Sequence, residues 1–248
     1  MLKVIVNGCL GKMGKVLTRC VQEDNELELV CGVSFNPTET TNYKIYNKMS
    51  DVQETADVII DFSHHSALDD VLSFALKTKT PLVIATTGYN DEELKKIREA
   101  SKIIPIFLSY NMSLGINVLL KLIKESTKLL EGFDIEVIEK HHNKKFDSPS
   151  GTAVMIANTI KEVLPNIKNN YGRYGRNSKR EENEIGIHAI RGGTIVGEHN
   201  IIYAGHDEIV ELKHTAQSKD IFAKGSIAAA KYLVNQNAGY YNMDNMLG

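Results

Sequence analysis

The stretch Leu2-Lys3-Val4-Ile5-Val6-Asn7-Gly8-Cys9-Leu10-Gly11-Lys12-Met13-Gly14 decides the fold. Leu2–Asn7 is a short, largely apolar run closed by a glycine, the pattern of a buried parallel strand. Met13, Val16, Leu17 and Val21 then recur at helical spacing. Between strand and helix the glycines are spaced G-x-x-G-x-x-G. In a strand–turn–helix unit the first glycine permits the tight turn. The second lets a phosphate approach the backbone, and the third lets helix and strand pack closely. The helix N-terminus offers N–H groups and positive potential to a pyrophosphate. The spacing departs from the usual G-x-G-x-x-G, so a purely structural glycine turn is the competing reading.

The rhythm continues outward. Leu27–Val33, Val58–Asp61, Pro81–Ala85 and Ile103–Leu108 read as further strands, with helical patterns at Ser66–Lys77 and Asp91–Ser101. Strands alternating with helices imply βαβ units and a parallel sheet. Ligands of such sheets bind beyond the carboxyl ends of the strands, where Asp61-Phe62-Ser63 and Ala85-Thr86-Thr87-Gly88 fall. The end of the second strand, Gly32-Val33-Ser34-Phe35-Asn36, carries neither the carboxylate nor the arginine that usually selects a dinucleotide's ribose.

After Tyr110 the pattern changes. Ile116, Leu119, Leu120, Ile123 and Leu130 mark a long amphipathic helix, Phe133–Glu139 a strand, and Ala153, Ile156, Ala157, Ile160 and Leu164 another helix. Residues 165–184 are polar and aperiodic, and the basic run Arg173, Arg176, Lys179, Arg180 within them reads as a solvated loop. Glu184–Ile190, Thr194–Tyr203 and Glu208–Thr215 are strand-like with no helix between them, an antiparallel pattern suited also to an oligomer interface. Arg191-Gly192-Gly193 reads as a hairpin turn, with Arg191 able to reach a carboxylate. A last helix, Ile221–Val234, is expected to pack back on the first domain. The expected division is residues 1–112 plus 222–248 for dinucleotide binding and 113–221 for substrate binding and oligomerisation.

Composition narrows the function. The chain has 248 residues, 42% hydrophobic and 24% charged, without tryptophan, which excludes disordered and low-complexity classes. Lys+Arg number 29 against 31 Asp+Glu, a net charge of −2, so a nucleic-acid partner is not expected. No apolar run reaches the roughly 18 residues of a membrane span, and the N-terminus shows no secretion signal. The cysteines, Cys9, Cys20 and Cys31, lack CxxC spacing, and free thiols in a reducing cytoplasm are expected.

The densest chemistry lies from Glu136 to Ala153: E-V-I-E-K-H-H-N-K-K-F-D-S-P-S-G-T-A. His141, His142 and Lys145 offer proton donors and fixed positive charge. Ser150 is a candidate N-cap, and the N–H groups of Gly151 and Thr152 beyond it suit a carboxylate. Adjacent histidines on a continuing strand point to opposite faces, so no shared metal is expected. The cluster reads as an anion site with an acid catalyst beside it, against a plain solvated basic loop.

Together these residues resemble the dihydrodipicolinate reductase family, whose signature E-[IV]-x-E-x-H-H-x-x-K-x-D-x-P-S-G-T-A is matched at every fixed position from Glu136 to Ala153. The resemblance extends over Gly8–Gly14, Ala85–Gly88, Asn111–Gly115 and Arg191–His199. It implies a Rossmann-type parallel-sheet domain plus a second α+β domain with a largely antiparallel sheet, usually as a homotetramer. It implies NAD(P)H-dependent reduction of a small cyclic dicarboxylate in diaminopimelate and lysine biosynthesis. His141 would donate the proton and Lys145 assist, while His142, Gly151 and Thr152 would contact substrate. NADH or NADPH would meet Gly8, Lys12, Met13, Ala85, Thr86, Thr87, Ser109, Tyr110, Asn111 and Met112. Closure of the two domains would assemble the site. An amino-acid semialdehyde dehydrogenase, or a dinucleotide sensor without activity, are the alternatives; neither needs the His-His/Lys/Ser-Gly-Thr cluster.

Overall fold

The computed structural model describes residues 1–37 and 40–248. In chain order the elements are β1 (Leu2–Asn7), α1 (Lys12–Glu23), β2 (Leu27–Val33), β3 (Ile45–Tyr46), β4 (Val58–Asp61), α2 (Leu68–Thr78), β5 (Leu82–Ile84), α3 (Asp91–Ser101) and β6 (Pro105–Leu108). There follow α4 (Leu114–Leu129), β7 (Asp134–His141), α5 (Gly151–Val163), β8 (Lys168–Asn170), β9 (Glu184–Arg191), β10 (Gly197–Ala204), β11 (Ile209–Ala216), α6 (Asp220–Leu233), β12 (Gly239–Tyr241) and α7 (Met243–Leu247). They form two compact units, Met1–Leu114 with Lys219–Gly248, and Gly115–Ser218.

The first unit is built on a seven-stranded, wholly parallel sheet in the order β12-β6-β5-β4-β1-β2-β3. Both faces are covered, which explains why its strands read as continuous apolar runs. Side chains alternate: Val4 and Val6 of β1 join Leu17, Val21, Ala223 and Leu233 of α1 and α6 on one face. Ile5 joins Val71, Leu72 and Ile97 of α2 and α3 on the other. All three β1 side chains are fully buried, each contributing roughly 1.5–3 kcal/mol. The chain returns to this unit with α6, fastened by Arg19 Nη2 to Asp220 at 2.8 Å and by Lys231 Nζ to Asp24 at 2.8 Å and Glu26 at 2.6 Å. The edge strands β3 and β12 and the short α7 are too brief to leave a periodic pattern in the sequence.

The second unit has a five-stranded sheet in the order β11-β10-β7-β9-β8. The β10–β11 and β10–β7 ladders are antiparallel, and β9 and β8 add on in parallel. Two expectations are corrected. The aperiodic stretch 165–184 contains β8, whose Lys168-Asn169-Asn170 gives no apolar alternation. And β9 and β10 do not form a hairpin, because β7 lies between them. Gly192 and Gly193 instead cross the end of β7: the Gly192 N–H donates to His141 O at 2.9 Å, and the Asn143 N–H to Gly193 O at 3.2 Å. One face of the sheet is sealed by α4 and α5, with Ile135, Val137, Ile187, Ile201 and Tyr203 packed on Ile123, Ile156 and Ile160.

Candidate active site

Strand β7 carries the site by simple alternation. Ile135 and Val137 face the core, so Glu139 and His141 follow on the same side. Glu139 is completely buried. Its carboxylate accepts hydrogen bonds from four donors. Arg191 Nη1 reaches Oε2 and Nη2 reaches Oε1, both at 2.7 Å. The Ser150 N–H reaches Oε1 at 2.9 Å, and His141 Nδ1 lies 2.6 Å from Oε2. Burial pushes the Glu139 pKa up, but Arg191, His141 and Ser150 outweigh it and hold the group below the ordinary carboxylate range. Ionised Glu139 accepts a hydrogen bond from Nδ1–H of His141, which leaves Nε2 as the nitrogen that gains and loses a proton. Burial lowers the His141 pKa below the ordinary histidine value, with Glu139 opposing.

The loop after β7 adds positive charge. Lys145 Nζ pairs with Asp147 Oδ1 at 2.9 Å, and Lys145 holds the Asp147 pKa down. Arg191 Nη2 also donates to the Asp147 carbonyl at 2.8 Å, tying the loop to the strand pair beneath it. Ser150 caps α5, its Oγ accepting from the Ala153 N–H at 3.1 Å. Helix α5 therefore opens at Gly151 and Thr152, with its positive end beside Glu139 and His141. His142 is the first residue beyond β7.

The first unit gathers the expected cofactor residues. Gly8, Lys12 and Met13 follow β1, Ala85 to Thr87 follow β5, and Ser109 to Met112 follow β6. All lie at carboxyl ends of strands of one parallel sheet. Gly8 has φ +80°, and a Cβ there would fall 2.4 Å from Phe62 O; one on Gly14 would fall 1.9 Å from Gly8 O. Only glycines give this close turn. Gly11 heads α1 with no side-chain cap, so the first N–H groups of α1 are left for a ligand's phosphate. These residues fit a dinucleotide. Met112 is 2% exposed and its side chain is in the core, so the side chain is not available to a ligand.

Two matches cover the chain: residues 2–112 match the family described as dihydrodipicolinate reductase, N-terminus, and residues 115–247 match dihydrodipicolinate reductase, C-terminus. The chain belongs to the dihydrodipicolinate reductase family. The 4-hydroxy-tetrahydrodipicolinate reductase of Caldanaerobacter subterraneus is 53% identical over 100% of this chain and 98% of its own. That of Clostridium botulinum is 52% identical over 100% and 99%. A solved dipicolinate-bound dihydrodipicolinate reductase from a Paenisporosarcina species shares the fold, with TM-score 0.83, 22% identity and 99% of each chain covered. This member of the family is an NAD(P)H-dependent oxidoreductase with a Rossmann-type sheet and a second α+β domain.

Several residues named from the sequence take partners in this reductase that the sequence did not show. Asp61, 1% exposed, is a hub at the end of β4. It accepts from Asn7 Nδ2 at 2.7 Å, Ser63 Oγ at 2.6 Å and Thr86 Oγ1 at 2.7 Å, and so fixes the loops after β1, β4 and β5. Arg191 does reach a carboxylate, but it is the protein's own Glu139. Arg173 and Arg180 are not in a solvated loop. Arg173 bonds Glu136 and Glu184, and Arg180 pairs with Asp134 at 2.6 Å and Glu136 at 3.3 Å. That cluster, joined by His188 Nε2 at 2.8 Å from Glu136, explains the first glutamate of the signature. Among the described residues no group of three His, Cys, Asp or Glu is placed to hold a metal.

Proposed function

We propose that the chain reduces 4-hydroxy-tetrahydrodipicolinate to tetrahydrodipicolinate, using NADH or NADPH. The observation that carries the reading is the anchored His141: Nδ1 is committed to buried, ionised Glu139 at 2.6 Å, so a proton leaves from Nε2. A reduced nicotinamide supplies the hydride when bound. Loss of the 4-hydroxyl as water turns the substrate into a conjugated imine; hydride addition then leaves an electron-rich enamine carbon, and His141 Nε2–H protonates it. Loss of that proton leaves a neutral ring, still held through Nδ1, for the next cycle.

Lys145, His142 and the N–H groups of Gly151 and Thr152 hold the two carboxylates, through charge-assisted hydrogen bonds at the positive end of α5. The first unit holds the cofactor through Gly8, Lys12, Met13, Ala85 to Thr87 and Ser109 to Met112. Family membership supports a homotetramer in the cytoplasm, with the second unit's sheet in the interface and a role in diaminopimelate and lysine biosynthesis. The test is steady-state reduction of the cyclic substrate, followed by loss of reduced-nicotinamide absorbance. Turnover with either cofactor is expected, and none with an amino-acid semialdehyde. The reverse outcome overturns the reading.

A further inference from the structure

A second histidine lies against His141, and the reading above gives it no task. His199, on β10, is 4% exposed. Its ring meets that of His141 edge-on, with centroids 5.3 Å apart and planes at 71°. Its Nε2 lies 2.9 Å from Ser150 Oγ, while its Nδ1 is buried without a partner among the described residues. A buried, half-satisfied imidazole costs stability, and an apolar side chain in its place would not.

The geometry points to His199 as a positioning residue: through Ser150 it holds the N-terminus of α5 and the His141–Glu139 pair in one fixed arrangement. The inference rests on the reductase reading and adds a residue that reading does not use.

Ser150 is the joint between the two halves of the site. Its N–H donates to Glu139 Oε1 at 2.9 Å, and its Oγ accepts from the Ala153 N–H at 3.1 Å. A serine hydroxyl turns freely about its Cα–Cβ bond unless something engages it from a second direction. His199 Nε2 does so. With it in place, Oγ stays in capping geometry, α5 keeps its first turn, and Gly151 and Thr152 keep their aim. The Ser150 N–H likewise keeps its bond to Glu139, which orients His141. The edge-on ring of His199 also limits how far the His141 plane can swing about its Nδ1 contact.

The arrangement needs a neutral ring at this point. Burial is the main cause that takes the His199 pKa down to about 4; His141 on β7, His214 on β11 and Lys145 in the loop lower it further, and only Glu139 opposes them. An imidazolium there would oppose both protonated His141 and Lys145. The neutral imidazole supplies a hydrogen bond and a rigid edge without charge.

The experiment compares His199→Leu, His199→Gln, Ser150→Ala and the double variant that combines His199→Leu with Ser150→Ala. The Kd for pyridine-2,6-dicarboxylate is the second readout. Glutamine keeps a polar group near the Nε2 position; leucine does not. A misplaced binding group costs on the order of tenfold to a hundredfold. His199→Leu should therefore raise substrate KM and dipicolinate Kd about tenfold or more and lower kcat, with NAD(P)H Kd unchanged. His199→Gln should recover most of this. The double variant should be no worse than either single, since both break one linkage. Wild-type kinetics in His199→Leu, additive losses, or failure of glutamine to rescue overturns the inference. If His199→Leu does not fold, His199→Gln and Ser150→Ala still decide it: near-native activity in the first and a KM loss in the second are required. A wild-type protein that does not reduce the substrate overturns the reductase reading itself. An active wild type with unmoved variants overturns this inference alone.

Discussion

Arg191 grips Glu139 with both prongs of its guanidinium, Nη1 to Oε2 and Nη2 to Oε1, each at 2.7 Å. The two residues sit on adjacent parallel strands and are far apart in sequence, so β-sheet register makes the pair: His141 is aligned with Arg191, and Glu139 is two residues back on the same face. The pair keeps a fully buried carboxylate, whose charge burial alone disfavours, ionised beside the His141 ring.

Arg191→Leu leaves that anion without its main partner. Breaking one side of a buried ion pair costs about 3–5 kcal/mol, so a marked drop in unfolding temperature is expected, measurable by calorimetry. The sign with pH follows from Glu139 lying below the ordinary carboxylate range. Its contribution is complete above the unfolded glutamate pKa, about 4.3, and is lost as pH falls through the lower native value. The stability gap between wild type and Arg191→Leu should therefore be widest above that pH and close in acid. A gap independent of pH would remove the ion pair as its source.

His141→Gln should lower kcat by about 10²–10⁴-fold, the usual worth of an acid catalyst, and leave NAD(P)H Kd unchanged. Glu139→Gln tests the anchoring. Glu139 raises the His141 pKa against the effect of burial, so its loss should let that pKa fall further. With His141 as the proposed acid, only its protonated form works, and kcat/KM is expected to fall as pH rises through its pKa. The basic limb of the pH profile should thus move to lower pH in Glu139→Gln. A limb that stays in place, or moves up, contradicts the assignment of His141 as the acid.

The parallel sheet was legible because strands buried on both faces are written as unbroken apolar runs, as in Val4-Ile5-Val6 and Val58-Ile59-Ile60. Strands of two or three residues, such as Ile45–Tyr46 and Gly239–Tyr241, carry no period to read. The expected β9–β10 hairpin failed for a different reason. Adjacency in sequence suggested pairing, but β7 presents Ile135 and Val137 to the core and takes the central place between them. The candidate catalytic loop was visible as a convergence of His141, Lys145 and Ser150. Its supports were not, because Arg191 and His199 approach from strands β9 and β10, and only register brings them beside Glu139 and Ser150. Glu139 itself stood in the quoted stretch. The period-2 alternation that places it on the face of His141 was the signal available for finding it.

Lys145 is expected to bind a substrate carboxylate. In the free protein its ammonium group is 2.9 Å from Asp147 Oδ1, an exposed partner, so exchange for a substrate carboxylate costs little. Lys145→Ala should raise substrate KM and also lower kcat, because a carboxylate held in the wrong place misaligns the reacting carbon. Pyridine-2,6-dicarboxylate should inhibit the wild type competitively against the cyclic substrate, and the variant more weakly. Absence of inhibition at millimolar concentration would argue against this anion pocket.

In Rossmann-type sheets cofactor preference is commonly set where the second strand ends. An acidic side chain there accepts the ribose hydroxyls and repels a 2′-phosphate, whereas an arginine pairs with that phosphate. Ser34, Phe35 and Asn36 supply neither group. The Ser34 N–H is spent on Tyr46 O at 2.9 Å, and the Asn36 N–H on Asn47 Oδ1 at 2.7 Å. The Ser34 hydroxyl and the Asn36 amide remain as the polar groups of this segment for a ribose, with Phe35, 81% exposed, beside them. Exposed Lys12, at the start of α1, adds weak attraction for a phosphate. A neutral hydrogen bond contributes about 0.5–1.5 kcal/mol and one to a charged group about 1.5–3, while a tenfold preference needs about 1.4 kcal/mol. The hydroxyl contacts favour NADH and Lys12 favours NADPH, so the contributions partly cancel. Both cofactors should be used, with kcat/KM values within about tenfold to thirtyfold of each other. Steady-state kinetics with each cofactor at fixed substrate and ionic strength measures this. A preference above about a thousandfold needs more than ~4 kcal/mol, more than these groups can supply, and would place the discriminating residue outside the stretch from Gly32 to Asn36.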